Sequence, residues 1–304
     1  MIKSKINQNM KKLFYLLLAT PLLLASCSND EEVASEEIVQ VSFSTELPGR
    51  IGTRAASTLN VNKVVCAVFE NDTEIKNLRE VIDITEAGSI EFAPRLIKGR
   101  TYDVVFWAMK DGCYDVSDMT AITRVSGGTS SESEFESFTE SVEIEVTGSK
   151  SETVTLKRPY AQLNLGVTAD DWNAVANENT FNMTPKKMVI KTSGKDTFNA
   201  LKGTVTGDDA DIIRNLDVSG SDLSVGETTY KSIAMCYIYP ESSQGNFDVS
   251  YTISTEDDRV IRKDVTIQNV PLQANYRTNI VGGLLTGTIT YTITFEENFA
   301  SNNN

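Results

Sequence analysis

The chain has 304 residues, 42 of them Asp or Glu and 28 Lys or Arg, so its formal net charge is −14, and it contains no histidine. Without histidine there is no Ser-His-Asp or Cys-His arrangement, no His-containing zinc site, and the commonest general base is missing. The acidic balance repels phosphate backbones and so excludes nucleic acid as a partner, while favouring solubility and saying little about fold.

In chain order, Lys3, Lys5, Lys11 and Lys12 precede the apolar stretch from Leu13 to Leu24, and Ala25-Ser26-Cys27 follows. A basic region, a short apolar core and small residues before a cut describe a bacterial signal peptide over residues 1–26. The apolar core is about a dozen residues, short of the roughly 20 that span a bilayer as a helix. Cys27 directly after Leu24-Ala25-Ser26 resembles the lipobox of bacterial lipoproteins. That resemblance implies that Cys27 becomes an acylated N-terminus, carrying palmitate-type chains into a membrane. The alternative is an ordinary secretory signal with a chance cysteine. Residues 27–37 then form an acidic tether, beginning Ser28-Asn29-Asp30-Glu31-Glu32. By composition it is a solvated run. It also resembles the short signal that sends Bacteroidales lipoproteins to the outer leaflet of the outer membrane, which implies surface display; the periplasmic face is the alternative. Losing residues 1–26 removes four lysines and no acid, taking the charge from −14 to −18. What remains is enough for one large or two ordinary domains.

Beyond Cys27 three cysteines remain, an odd number, so no disulfide framework is implied. Cys66 and Cys236 lie in apolar runs and read as small core residues. Cys113, in the loop Asp111-Gly112-Cys113-Tyr114, is open to exposure, but nothing basic beside it would activate the thiol.

Period-two alternation dominates the rest. Val39, Val41 and Phe43 alternate with Gln40, Ser42 and Ser44 until Leu47-Pro48-Gly49 ends the run. Val64 to Phe69 is apolar on both faces, as a central strand is, and Tyr102 to Ala108 follows the turn at Lys98-Gly99. Val142, Ile144 and Val146 alternate with Glu143, Glu145 and Thr147. Further runs lie at 154–156, 161–167, 188–190, 233–239, 248–253, 265–267 and 289–295. Turn residues between them favour sandwiches of antiparallel strands. One helix is expected, from Thr168 to Asn179, with capping residues, acids in the first turn and Trp172, Val175 and Ala176 at helical spacing. Asp208 to Leu216 reads as a helical turn or a loop. The Ser- and Glu-rich stretch from Gly127 to Glu140 reads as a mobile surface loop. Lys157-Arg158-Pro159 marks a join between halves, because proline interrupts a strand ladder. The expected domains are therefore 38–157 and 158–304, and no short repeat is present.

Specific stretches now become recognisable. Lys98 to Ala108 (KGRTYDVVFWA), Tyr114 to Met119 (YDVSDM), Leu156 to Asn164 (LKRPYAQLN) and Asn275 to Thr286 (NYRTNIVGGLLT) resemble, in order and spacing, the Bacteroidales fimbrillin-like proteins. The resemblance implies two tandem transthyretin-like antiparallel β-sandwich domains and a place in a pilus (stalk, anchor or accessory) or a role as an adhesin. It also implies a maturation route. Precursors of that family are often cut after an arginine by a trypsin-like protease, and the gap left by the lost leading strand accepts a donor strand from the next subunit. Gly49-Arg50-Ile51-Gly52-Thr53-Arg54-Ala55-Ala56 offers two candidate cuts, Arg54 being the better match and Arg50 the other. Glycines would keep such a segment accessible; the alternative is an ordinary linker that contains arginines. In the tail, residues 287–296, Ile289, Tyr291, Ile293 and Phe295 share one face and threonines the other, as a donor strand requires. The last strand of a sandwich has the same pattern.

Other sites are weaker. Asp208, Asp209 and Asp211 lack the ligand series and glycine placement of a calcium loop and read as solvated turn acids. No carboxylate pair stands out for glycoside hydrolysis, and there is no phosphate-binding glycine loop or nucleophile elbow. Trp107 reads as core, and Trp172 as sealing a sandwich end. The expectation is an all-β, non-catalytic surface lipoprotein without cofactors, held at the outer membrane through Cys27 and partnered by related pilus subunits. The alternative is a lipoprotein that never polymerises and binds a glycan or protein ligand of host or bacterial origin.

Overall fold

The computed structural model describes residues 36–48, 60–84, 90–125, 131–177, 182–240 and 244–297. Cys27, Arg50 and Arg54 lie outside them. Strands are numbered along the chain. The first half contributes β1 (Ile38–Glu46), β2 (Lys63–Glu70), β3 (Thr73–Glu74), β4 (Glu80–Asp83), β5 (Ile90–Phe92) and β6 (Arg95–Ile97). It continues with β7 (Thr101–Met109), β8 (Tyr114–Asp115), β9 (Ile122–Arg124), β10 (Ser137–Glu145) and β11 (Lys150–Thr155). The second half contributes β12 (Ala161–Val167), α1 (Ala169–Ala176), β13 (Lys187–Gly194), β14 (Thr197–Asn199), β15 (Thr204–Thr206) and β16 (Ala210–Asp217). Then follow β17 (Asp222–Val225), β18 (Thr228–Ile238), β19 (Gly245–Ser254), β20 (Val260–Leu272), β21 (Tyr276–Gly283) and β22 (Thr290–Glu297). The protein is all-β, as the alternation predicts.

In the first half, the sheet β11-β1-β5, with β6 also paired to β1, faces the sheet β10-β7-β2-β3, to which β4 adds. The two share a core of Val41, Phe43, Val64, Cys66, Val104, Phe106, Phe138 and Leu156. In the second, β17-β18-β12-β21-β22 faces β16-β13-β19-β20 over a core that includes Leu163, Leu165, Ile190, Tyr251 and Ile280. Each is a β-sandwich in which inward side chains of two sheets interdigitate. The helix α1 is shorter than the predicted span and is capped by Thr168, whose hydroxyl accepts the Asp171 N–H at 3.2 Å. Trp172 on it packs against the edge of the second core.

A third cluster explains why β2 and β7 are apolar on both faces. Val65, Ala67 and Phe69 of β2, with Val105, Trp107 and Met109 of β7, pack against Tyr160, Phe198, Tyr237 and Tyr239 of the second half. Trp107 is fully buried, 5.4 Å from the Tyr114 ring and 5.7 Å from Phe198. The ladder itself crosses the join, since β9 pairs with β14 through Thr123–Thr197 and Ile122–Phe198. Residues Ile38–Asn304 accordingly form one compact unit.

Three expectations are corrected. Asp208 to Leu216 is largely the strand β16, because Ile212, Arg214 and Leu216 alternate inward and outweigh the acids at its start. The described part of the Ser- and Glu-rich stretch is not a loop: a short 3-10 turn, Glu132–Phe135, leads into β10. Its acids have found partners: Glu132 and Glu136 are each nearly buried against an arginine. Cys113 is buried, as are Cys66 and Cys236, and burial pushes the thiols of Cys66 and Cys236 far above their ordinary range.

Glu132 is the polar counterpart of that third cluster. Its Oε1 accepts from the Arg124 guanidinium at 2.8 Å and from the Tyr237 N–H at 2.8 Å, while Arg124 also donates to the Tyr237 carbonyl at 3.0 Å. Burial is the largest single influence and works against the Arg124 charge, but Glu132, Tyr114 and Tyr239 together outweigh burial and hold the guanidinium pKa above its usual value. Arg124 also lies 4.6 Å over the Phe135 ring. A buried charge left without its partner is expensive. Glu132→Gln is therefore expected to cost about 3–5 kcal/mol, read as a lower urea midpoint.

Candidate functional site: an inserted first strand and an edge last strand

The chain's first strand is not at the rim of its sheet. β1 runs parallel to β11 over Val41–Lys150 to Glu46–Thr155, and on its other side antiparallel to β5 (Phe43–Phe92) and β6 (Ile38–Ile97). Its backbone therefore has partners on both edges. The period-two pattern sends Val41, Phe43, Thr45 and Leu47 inward, all buried. The Phe43 ring lies 5.7 Å from Phe106 and 6.4 Å from Phe92, and Phe92 meets Phe106 edge-on at 6.2 Å. Burying an aromatic or aliphatic side chain contributes about 1.5–3 kcal/mol, so the strand is held mainly by its inward row. Thr45 is the flaw in that row, a buried hydroxyl with no hydrogen-bond partner among the described residues. Covalently, β1 joins β2 through residues 49–59, the segment that contains Arg50 and Arg54.

The last strand is placed differently. Among the described residues β22 lies at the rim of its sheet and pairs antiparallel with β21 alone, from Tyr276–Glu297 to Gly283–Thr290. The row Ile289, Tyr291, Ile293 and Phe295 is thus placed on the chain's own second sandwich. Ile289 and Ile293 rest against its core. Phe295 stacks on Tyr276, centroids 4.7 Å apart and planes 12° from parallel. Tyr291 stands opposite Gly282, which offers no side chain to pack against, and is 43% exposed. The threonine face is tied in by Asn279, whose amide donates to the Thr294 hydroxyl at 3.0 Å and accepts from Asn164 at 2.8 Å. No residue within the strand is buried.

Sequence reasoning missed what fastens the connection into β22. Asp171, expected only as an acid in the first turn of a helix, accepts from the N–H groups of Leu284 and Leu285, both at 2.7 Å. Its other oxygen accepts from the Thr286 N–H at 2.9 Å and the Thr286 hydroxyl at 2.6 Å. The motif Thr168-x-x-Asp171 signals a helix start, but nothing in it points to a partner more than a hundred positions away.

A groove of about 680 Å³ opens at the join, bordered by Glu140, Lys157, Pro159, Phe198, Lys202 and Asn275. The Lys157 ammonium pairs with Glu140 at 2.9 Å along its wall. Asp211, one of the three turn acids, pairs with Lys191 at 2.7 Å. Among the described residues no helix is long and apolar enough to cross a membrane.

Two sandwiches that share an aromatic join, with the first strand inserted and the last at a rim, define a two-core strand protein. Residues 32–304 match the model of a family described as Family of unknown function (DUF6562), and the chain belongs to that family. No curated protein matches the sequence. Solved structures similar to it include the tip fimbrial protein Mfa3 of Porphyromonas gingivalis, in a C-terminally truncated form. That match has 11% identity and a TM-score of 0.49, covering 86% of this chain and 100% of that one. The fimbrial anchor protein Mfa2 of the same organism has 12% identity and a TM-score of 0.44, covering 80% and 90%. A candidate adhesin from Bacteroides ovatus has 12% identity and a TM-score of 0.46, covering 81% and 88%.

The energetics of β1 can be measured directly. Phe43→Ala is expected to lower stability by about 3–5 kcal/mol. Thr45→Val, which removes the orphaned hydroxyl at nearly constant volume, should raise it by about 1 kcal/mol. Urea denaturation of the full chain, followed by tryptophan fluorescence, reads both.

Proposed function

We propose that this protein is a non-catalytic cell-surface lipoprotein that serves as a fimbrial subunit or adhesin and assembles by strand complementation. Cys27 would carry the lipid, residues 27–37 the tether, and the units 38–157 and 158–304 the two sandwiches. The observation that carries the proposal is the seat of β1. A strand with partners on both edges and four inward side chains is joined to the rest of its sandwich only through the segment bearing Arg50 and Arg54. A cut after either arginine leaves β1 held by non-covalent contacts alone. Its departure opens a groove between β11 and the β5–β6 edge, floored by Phe92 and Phe106. Any strand with apolar side chains at alternate positions can refill such a groove, main-chain bonds giving affinity and pockets giving specificity.

The tail has that pattern. Ile289, Tyr291, Ile293 and Phe295 repeat the spacing of Val39, Val41 and Phe43. Within the monomer the tail is the half-buried rim of its own sheet, so moving it to a neighbour exposes little core. The same cut separates the subunit from its lipid, making the anchor a delivery device. An uncut chain instead keeps β1 and remains fixed at the membrane, as an anchor subunit or a monomeric adhesin would.

A second reading is a lipoprotein that binds a glycan or protein and never polymerises. The groove at the join favours it, having the size of ordinary ligand sites, about 300–1,000 Å³. Two measurements on protein from outer membranes separate the readings. Sequencing the N-terminus of the assembled form is expected to give Ala55, or Ile51 for a cut after Arg50; an acylated Cys27 in that form rules out processing. Deleting residues 287–304 should abolish polymer ladders while the monomer still folds. A protein that is monomeric with and without its tail, and keeps its ligand after the deletion, supports the second reading.

A further inference from the structure

Between β21 and β22 the chain passes through Leu284-Leu285-Thr286-Gly287, and this segment is fastened far more firmly than the strand after it. Asp171 of α1 receives four hydrogen bonds from residues 284–286, and its side chain is buried. Bonds to an ionised carboxylate are among the stronger ones a backbone N–H can make. The Tyr251 hydroxyl of β19 donates to the Leu284 carbonyl at 2.7 Å. Arg262 of β20 donates through Nε to the Leu285 carbonyl at 2.7 Å and through its other nitrogen to the Gly287 carbonyl. Leu284 and Leu285 are sunk in the second core. These three polar partners come from α1, β19 and β20, none of them a pairing partner of β22.

Past Gly287 the picture changes. Gly287 is in the left-handed region, φ +53°, with open space where a side chain would stand. Among the described residues β22 has one strand neighbour, and Thr290, Tyr291 and Thr292 are exposed. Gly282 shows how closely that neighbour is approached: a Cβ there would lie 2.2 Å from the Thr290 carbonyl oxygen and 2.9 Å from the Tyr291 Cα. Bulk at this one position would lift the start of β22 without altering the tail itself.

We propose that Asp171, with Tyr251 and Arg262, turns residues 284–287 into a fixed pivot, from which β22 alone swings out of the sheet. Opening then releases the half-buried Ile289, Ile293 and Phe295 but leaves Leu284 and Leu285 in the core. The second sandwich stays shut while its last strand changes partner. Elements with few buried contacts open at the lowest free energy, and the boundary of this unit falls at Gly287. The acceptor would be the β1 groove of a second copy; that step rests on the assembly reading above, whereas the pivot does not.

Hydrogen exchange on the uncut full chain, resolved by peptide, tests it. In the native sequence residues 288–297 are expected to exchange at least tenfold faster than 284–286. Asp171→Asn should bring 284–286 to the rate of β22, with β12 and β18 unchanged. Thr286→Val, which deletes one hydroxyl and leaves the carboxylate, should give a smaller rise confined to 284–287, and decides the matter if Asp171→Asn does not fold. The pivot is overturned if 284–286 and β22 exchange together in the native chain, or if the folded variants leave 284–286 as protected as before. Gly282→Ala should free β22 with 284–286 still protected. If it does so and the freed strand still fails to join a second copy with β1 removed, the pivot stands and strand complementation falls.

Discussion

The first sandwich cannot close its core without the strand that precedes residue 49. Val41, Phe43, Thr45 and Leu47 fill the middle of that core, and the aromatic triad of Phe43, Phe92 and Phe106 depends on a ring that β1 supplies. A protein interior is packed as densely as an organic crystal, so a missing strand is a groove rather than a slack fit. The backbone adds a second demand. Both edges of β1 are paired, and its removal would strand the donors and acceptors of β11 on one side and of β5 and β6 on the other. The assembly role proposed for the tail follows from the groove that the loss of β1 would leave.

The rest of the molecule is built to keep still around it. β2 and β7 use one face for the first core and the other for the join, where Trp107 meets Phe198 and Tyr114. Glu132 sits at the same join, bonded both to Arg124 of its own half and to the Tyr237 backbone of the other. Buried ion pairs are weak arguments for stability, because desolvation offsets much of the attraction. They are better at fixing geometry, and here the pair is reinforced by two backbone bonds. The contacts at the join do not involve β1, so under the proposed function its loss would leave them in place.

How far this was legible in the sequence varies with how local the cause is. Alternation in Val39 to Phe43 announced an inward row, and the two-sided run Val64 to Phe69 announced a central strand. What covered the second face was not legible, since Tyr160, Phe198, Tyr237 and Tyr239 come from far along the chain. Composition misled where partners decide. The Ser- and Glu-rich stretch looks solvated until Arg124 and Arg158 are set beside Glu132 and Glu136. The acids that open β16 hid an alternation of Ile212, Arg214 and Leu216. Asp171 shows the limit most clearly: its helix position was readable from the capping pattern, while its four bonds depend on a fold that brings residues 284–286 to it.

Strand direction links these parts. Parallel neighbours cannot be joined by a hairpin, so their pairing brings together strands distant in sequence. In the first half these are the first and last strands, β1 and β11; in the second, β12 and β21. Tension entering before Ile38 and leaving after Thr155 would pull the N-terminal end of β1 against the C-terminal end of β11. Six paired positions would then be loaded in shear together, not peeled one at a time. That holds whichever fate the segment at Arg50 and Arg54 meets. Under the proposed function, an uncut tether would pull directly on β1, and the ladder would share the load with the covalent chain. A strand that refilled the groove after a cut would have no covalent link there, and its backbone bonds and inward side chains would carry all of the load. For the role proposed, a seat made of many backbone bonds and a buried row would serve better than any single strong contact, and β1 is held by such bonds and such a row.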